Sequence, residues 1–218
     1  MKKIISYTLL LLMLSYNLSS QTTVKVDLLK KSWLSINGTS NIISFKLIHN
    51  GEKLLGKSLT LTTTQNQNKL FLSQNQLAIL VKNFSSDNVM ARRDFLKLIK
   101  SDIYPTINVQ LNYLETANGK KIEANSKGNA YVNITITGVT KQYHIQVTSN
   151  KDGEFVLVDG NKSINIRDFG LTPPVEMMGL LKVSEWIDLD FHLICKITTS
   201  KTPNDLIASV TSENTLGK

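Results

Sequence analysis

The strongest constraint on this chain is a two-residue period of apolar and polar side chains that returns along most of its length. In residues 106–114, Ile107, Val109, Leu111 and Tyr113 alternate with Thr106, Asn108, Gln110 and Asn112. Successive side chains of an extended strand point to opposite faces, so such a run turns one face to a core and the other to water. Ala130, Val132, Ile134 and Ile136 repeat the pattern, as do Tyr143, Ile145 and Val147. Gly138-Val139-Thr140 lies between these two runs and supplies a hairpin connection. The longest run places Ile187, Leu189, Phe191, Leu193 and Cys195 on one side, with Asp188, Asp190, His192 and Lys196 on the other. Asp152-Gly153 and Asp159-Gly160 flank a short strand that carries Phe155 and Leu157, and 163–166 follows as another. Earlier candidates are 33–36, 42–48, 58–63 and 76–81, giving eight or nine strands in all.

One segment follows another period. Ala91, Phe95, Leu98 and Ile99 fall at helical spacing, Ser86 or Asp87 can cap the start, and Pro105 stops the segment. One helix among many antiparallel strands fits a closed barrel, which removes exposed sheet edges, or a sandwich. About eight strands leave an interior that is filled by side chains or holds one slender ligand. Residues 168–182 read DFGLTPPVEMMGLLK, and Pro173 and Pro174 lack the N–H that a central strand needs. Met177, Met178, Leu180 and Leu181 beside them suit either a plug at a barrel end or an adaptable apolar portal.

Lys2 and Lys3, an apolar stretch from Ile4 to Leu14 and small residues at Ser19 and Ser20 read as a secretory signal peptide over 1–20. Cleavage is expected near Ser20-Gln21, giving a periplasmic or secreted protein. Loss of Lys2 and Lys3 takes the formal charge from +8 to +6. The remaining basic residues are scattered without aromatic interleaving, which argues against nucleic acid and suggests weak attraction to anionic membrane surfaces. Cys195 is the single cysteine, so burial rather than a disulfide must stabilise a domain over 21–199, and residues 200–218 form a polar tail.

Asp188, Asp190 and His192 share a strand face, but that face lies opposite the apolar set, so they are expected outside in water rather than as a metal or acid–base cluster. His49 and His144 have no ligand-like neighbours, and Cys195 has the parity of Phe191 and Leu193, as a small buried hydrophobe would. No phosphate-binding glycine loop, serine elbow or HExxH occurs. Neither a catalytic centre, a metal nor a cofactor is expected.

Residues 90–111, MARRDFLKLIKSDIYPTINVQL, resemble the helix-then-strand segment of the YceI-like family through Ile99-Lys100-Ser101 and Tyr104-Pro105-Thr106-Ile107. Gly138-Val139-Thr140-Lys141 is similar to that family's turn, and Asp168-Phe169-Gly170-Leu171-Thr172-Pro173-Pro174 to its proline-bearing approach to the last strand. The stretch 33–45, with Gly38-Thr39-Ser40-Asn41, looks like the opening of one branch, although Lys31-Ser32-Trp33 stands where a His-Ser pair is common. The likeness covers about residues 32–197.

The resemblance implies an all-β fold, an extended antiparallel eight-stranded lipocalin-like barrel with one helix, exported and holding a polyisoprenoid or similar lipid in a tunnel. The tunnel lining expected from the alternating face is Ile107, Val109, Leu111 and Tyr113 on one strand and Val132, Ile134 and Ile136 on the next. Ile145, Val147, Phe155 and Leu157 continue it, then Phe169, Met177 and Met178, and finally Ile187, Leu189 and Phe191. Each CH₂ taken from water there contributes roughly 0.8 kcal/mol before ordering costs. The expected role is a carrier or sequestering protein; the alternative is a non-catalytic interaction module with a filled barrel.

Overall fold

The computed structural model of the chain describes residues 21–54, 58–66, 68–73, 75–116, 126–176 and 180–200. Twelve strands alternate with short turns: β1 Gln21–Leu28, β2 Trp33–Ser40, β3 Ser44–Asn50, β4 Ser58–Asn66, β5 Lys69–Ser73 and β6 Leu77–Leu80. After the helix α1, Val89–Leu98, come β7 Thr106–Thr116, β8 Ser126–Ile136, β9 Val139–Asp152, β10 Phe155–Asn165, β11 Val175–Glu176 and β12 Leu181–Ser200. The order β1-β4-β5-β7-β8-β9-β10-β12 returns to β1 through a further antiparallel pairing, so eight strands close a ring. Closure gives those backbone groups partners and leaves no edge in the ring.

The long strands divide the wall into two storeys. Along one edge of β12, β2 pairs residues 183–192 while β1 pairs residues 195–200. Similarly β6 pairs the start of β7 at residues 106–109, and β5 pairs its far part at residues 113–115. At the helix end the β2–β3 hairpin and β6 thus replace β1, β4 and β5. There Ile48 and Ser85 exchange two backbone hydrogen bonds of 2.8 Å, bringing β3 against the segment after β6. The helix α1 covers this end, held by Arg92, whose Nε donates to Phe84 O at 2.8 Å and Nη2 to Lys82 O at 3.0 Å.

Several expectations are refined by the coordinates. The helix cap is Asn88, whose Oδ1 accepts from Ala91 N at 3.0 Å, rather than Ser86 or Asp87. The β8–β9 turn consists of Thr137 and Gly138, both at positive φ (49° and 82°), as a tight two-residue hairpin requires. Asp159-Gly160 is no turn: 155–165 is one continuous strand. Gly160 sits opposite Phe191, and a Cβ on it would come within 2.4 Å of that ring. Its glycine serves a close approach of an aromatic ring, not a change of direction. Gly38 stands in the same relation to Phe45. β1 and β5 are not among the expected strands, although Val24, Val26 and Leu28 alternate with polar residues in β1 and Leu70, Phe71 and Leu72 give β5 a short apolar run.

Candidate functional site

The inward residues at the helix end enclose an apolar cavity of about 180 Å³. Ile36 of β2, Leu47 of β3, Ile107 and Val109 of β7, and Ile134 and Ile136 of β8 supply much of its wall. Ile164 of β10 and Ile187 and Leu189 of β12 continue that wall, and Phe95 and Leu98 of α1, with Ile99 at its C-terminal cap, form the roof. Leu171, Pro174, Leu181 and Val183 close the side where the proline-bearing loop enters β12. These residues meet because register sets them on one face: Ile187 lies opposite Ile164, Leu189 opposite Ile36, and Val109 opposite Ile134.

Of the residues expected to line a tunnel, Ile107, Val109, Ile134, Ile136, Ile187 and Leu189 line this cavity. Leu111, Val132, Ile145, Val147 and Phe191 face inward too, but pack the core beyond it. Leu111 lies opposite Val132, and Phe191 opposite Leu34, so these four make a floor between the storeys. Phe169 is buried at 1% exposure within the same core, its ring 6.1 Å from that of Tyr143. Met177 and Met178 lie outside the described residues. Leu180 is 71% exposed, whereas Leu181 reaches the cavity, so the two leucines of that loop part company.

Three expected lining residues face the other way. A β-bulge between Leu111 and Tyr113 inserts Asn112, which reverses the parity of β7. Leu114 therefore turns inward, and Tyr113 stacks outside on Tyr131 with ring centroids 4.2 Å apart; Tyr131 stacks in turn on His144 at 4.8 Å. Phe155 and Leu157 pair with Lys196 and Ile194, the outward set, while Val156 and Val158 pair with the inward Cys195 and Leu193. Two apolar residues alternated with two others there, and only the partner strand decided which pair went in. Sequence reasoning also missed Ile36, Phe45 and Leu47, whose strands were recognised but not assigned to the lining, and Ile164, assigned to a separate strand.

Asp188, Asp190 and His192 stand on the outer face. Asp190 Oδ2 accepts from Asn37 Nδ2 at 2.6 Å, and His192 Nδ1 lies 2.6 Å from Asp159 Oδ1. A second hollow of about 720 Å³ lies on this outer wall, edged by Trp33, Glu115, Lys127, Asn129, Gln146 and Asp190. Its polar side chains are those that the strand parity turns to water. Cys195 is buried, and loss of hydration pushes its thiol up to about 11, far from a reactive thiolate.

The cavity wall carries few polar side chains, Ser40, Asn88, Asp94 and Ser184. Ser40 Oγ accepts from the N–H groups of Ile42 and Ile43, and Asn88 caps α1. Around the same opening Ile43 and Met90 are 47% and 54% exposed. Asn41 ties the β2–β3 turn to β12, donating from Nδ2 to Leu180 O at 2.8 Å and accepting at Oδ1 from Lys182 N at 2.9 Å.

The model of the family described as YceI-like domain matches residues 21–195. Among solved structures, a polyisoprenoid binding domain from Saccharophagus degradans, implicated in plant cell wall breakdown, is similar in fold, with a TM-score of 0.52 at 10% identity. That match covers 79% of this chain and 98% of the other. BcnA of Burkholderia cenocepacia matches with a TM-score of 0.48 and 14% identity over 75% of this chain and 95% of its own. The Campylobacter jejuni YCEI protein matches with a TM-score of 0.46 and 15% identity, covering 76% and 85%. No curated protein matches the chain.

Proposed function

The chain belongs to the YceI-like domain family, and from that premise we propose that it is an exported lipid-binding protein that takes up a long apolar chain, a polyisoprenoid or a similar lipid. The observation that carries this reading is the cavity at the helix end, walled almost wholly by aliphatic and aromatic side chains and open at a mouth beside Ile43 and Met90. Such a wall favours an apolar guest by removing its surface from water and offers little to a polar one. An apolar cavity of about 150 Å³ accepts benzene, so 180 Å³ admits a short end of a chain. A longer chain must displace the floor of Leu34, Leu111, Val132 and Phe191 or extend out of the mouth. The polyisoprenoid binding named for the Saccharophagus degradans neighbour supports the choice of ligand class.

Binding without catalysis fits the polar groups on the wall. Ser40 and Asn88 are engaged in the local turn and the helix cap, and no nucleophile–base pair is formed among the described cavity-lining residues. The signal-like residues 1–20 support export of the mature protein to the periplasm or outside the cell. Its positive charge favours weak association with anionic membrane surfaces, and the role is that of a carrier or a sequestering protein. The inward Leu114, Ala130, Ile145 and Val147, which pack in the core beyond the floor, favour one competing reading, an interaction module with a filled barrel.

Native mass spectrometry of protein purified from its own source, before and after organic extraction, separates the two. The expected result is one extractable lipid per chain and a lower melting temperature after its removal, because a ligand that binds only the folded state stabilises it. Identical mass and stability before and after extraction would remove the carrier reading.

A further inference from the structure

The cavity-facing stripe of α1 runs through Met90, Ala91, Asp94, Phe95 and Leu98, the spacing of one helix face. Four of these five are apolar, and the fifth is a carboxylate. Asp94 has a side-chain exposure of only 18%, so water solvates it poorly. Removing a carboxylate from water is costly unless hydrogen bonds replace the hydration. Its partner is Arg93, the adjacent residue, whose Nε and Nη2 donate at 3.1 and 3.0 Å. Both bonds go to Oδ1, and the guanidinium comes from the solvent side, at 62% exposure. Oδ2 makes no hydrogen bond among the described residues. The wall therefore has an unclaimed anionic acceptor where apolar side chains would suffice to hold a hydrocarbon.

Two donors share the same lining. Among the described residues Asn88 uses its Oδ1 for the cap and finds no acceptor for its Nδ2, and Ser184 Oγ accepts from Trp186 N at 3.1 Å and finds no acceptor for its O–H. From these groups we propose that Asp94 is the head-group determinant of the cavity: it accepts a hydrogen bond from the hydroxyl of a lipid alcohol whose chain lies among the aliphatic residues. The inference rests on the lipid-binding reading and sharpens it to an uncharged alcohol. A phosphorylated head would set negative charge against the carboxylate in a poorly hydrated site, where repulsion is screened least.

The test measures the displacement of a neutral naphthylamine dye from the full mature chain by three guests with the same fifteen-carbon chain. These are farnesol, farnesyl monophosphate and the hydrocarbon farnesene. Farnesol is expected to bind about tenfold tighter than either of the others, as one charge-assisted hydrogen bond permits. Asp94→Asn should bring the alcohol and the phosphate within about threefold of each other, and Asp94→Glu, which keeps the charge, should retain the wild-type order. Farnesene binding as tightly as farnesol, or an order unchanged in Asp94→Asn, overturns the head-group assignment and leaves lipid binding standing. Should Asp94→Asn not fold, a wild-type order lost in a folded Asp94→Glu would equally overturn it. Failure of all three guests to bind the wild-type chain removes the lipid-binding reading, and the assignment falls with it.

Discussion

At the residue scale, the clearest lesson comes from groups that the fold holds away from water. Tyr143 shares the inward parity of Val132, opposite which it lies, and its hydroxyl donates to Asp168 Oδ2 at 3.3 Å. Burial first, and the Asp168 charge second, push its pKa from 10.0 up to about 12. The folded protein therefore holds that proton more tightly than the unfolded chain does. Its contribution is complete below pH 10 and is lost as the pH climbs through about 12, since the unfolded hydroxyl ionises first. Cys195 adds a fall of the same sign between pH 9.0 and about 11. Thermal melts from pH 8 to 12 should show this alkaline decline, and Tyr143→Phe should flatten the part above pH 10; an unaltered slope in the variant would refute the assignment. The position of Tyr143 on the core face was legible from alternation with Ile145 and Val147. Its partner Asp168 was not, because a distance of 25 residues in sequence is bridged only by the tertiary fold.

At the element scale, β7 shows how one residue redirects a strand. The bulge at Asn112 is accompanied by a side-chain brace, since β5 and β6 both pair with β7 but leave a gap between residues 73 and 77. Asn75, 6% exposed, fills that gap and takes the place of a strand: its Oδ1 accepts from Leu111 N at 2.6 Å and its Nδ2 donates to Leu111 O at 2.7 Å. Asn75→Ala would leave both backbone groups of Leu111 without these partners. Each such loss costs about 1–3 kcal/mol, so urea unfolding should show a destabilisation of about 2–6 kcal/mol; a change below about 0.5 kcal/mol, the range of an ordinary surface substitution, would show that the brace is dispensable. The alternation of 106–114 made β7 easy to find, yet it placed Tyr113 on the wrong face. An inserted residue leaves the composition of a strand intact and alters only its pairing count, so no local pattern reveals it. β10 teaches the same point differently, because Asp159-Gly160 has the residues of a turn while Gly160 makes room for Phe191.

On the scale of the whole molecule, two storeys share one wall and differ in their filling. The helix end holds the cavity, whereas beyond the floor the inward Val158, Leu193 and Cys195 contribute nothing to its lining. Leu189→Trp should therefore fill the cavity and weaken lipid uptake at least about tenfold, with a stability change within about 1–3 kcal/mol. Val158→Trp, the comparable enlargement beyond the floor, should lower stability and leave the affinity of the folded fraction unchanged. Equal binding losses in both variants would mean that one continuous tunnel, not a single storey, holds the guest. The sequence by itself determined that the chain forms antiparallel strands with one covering helix, and that the polar Asp188, Asp190 and His192 face outward. Those features follow from local rules: side chains alternate every residue, a helix repeats near four, and proline cannot join a ladder. The tertiary structure alone decided where parity reverses, which glycines lie beneath aromatic rings, and where the interior stays open. These depend on the register and volume of partners far away in the chain, and a free volume belongs to the packing of several strands together rather than to any one of them.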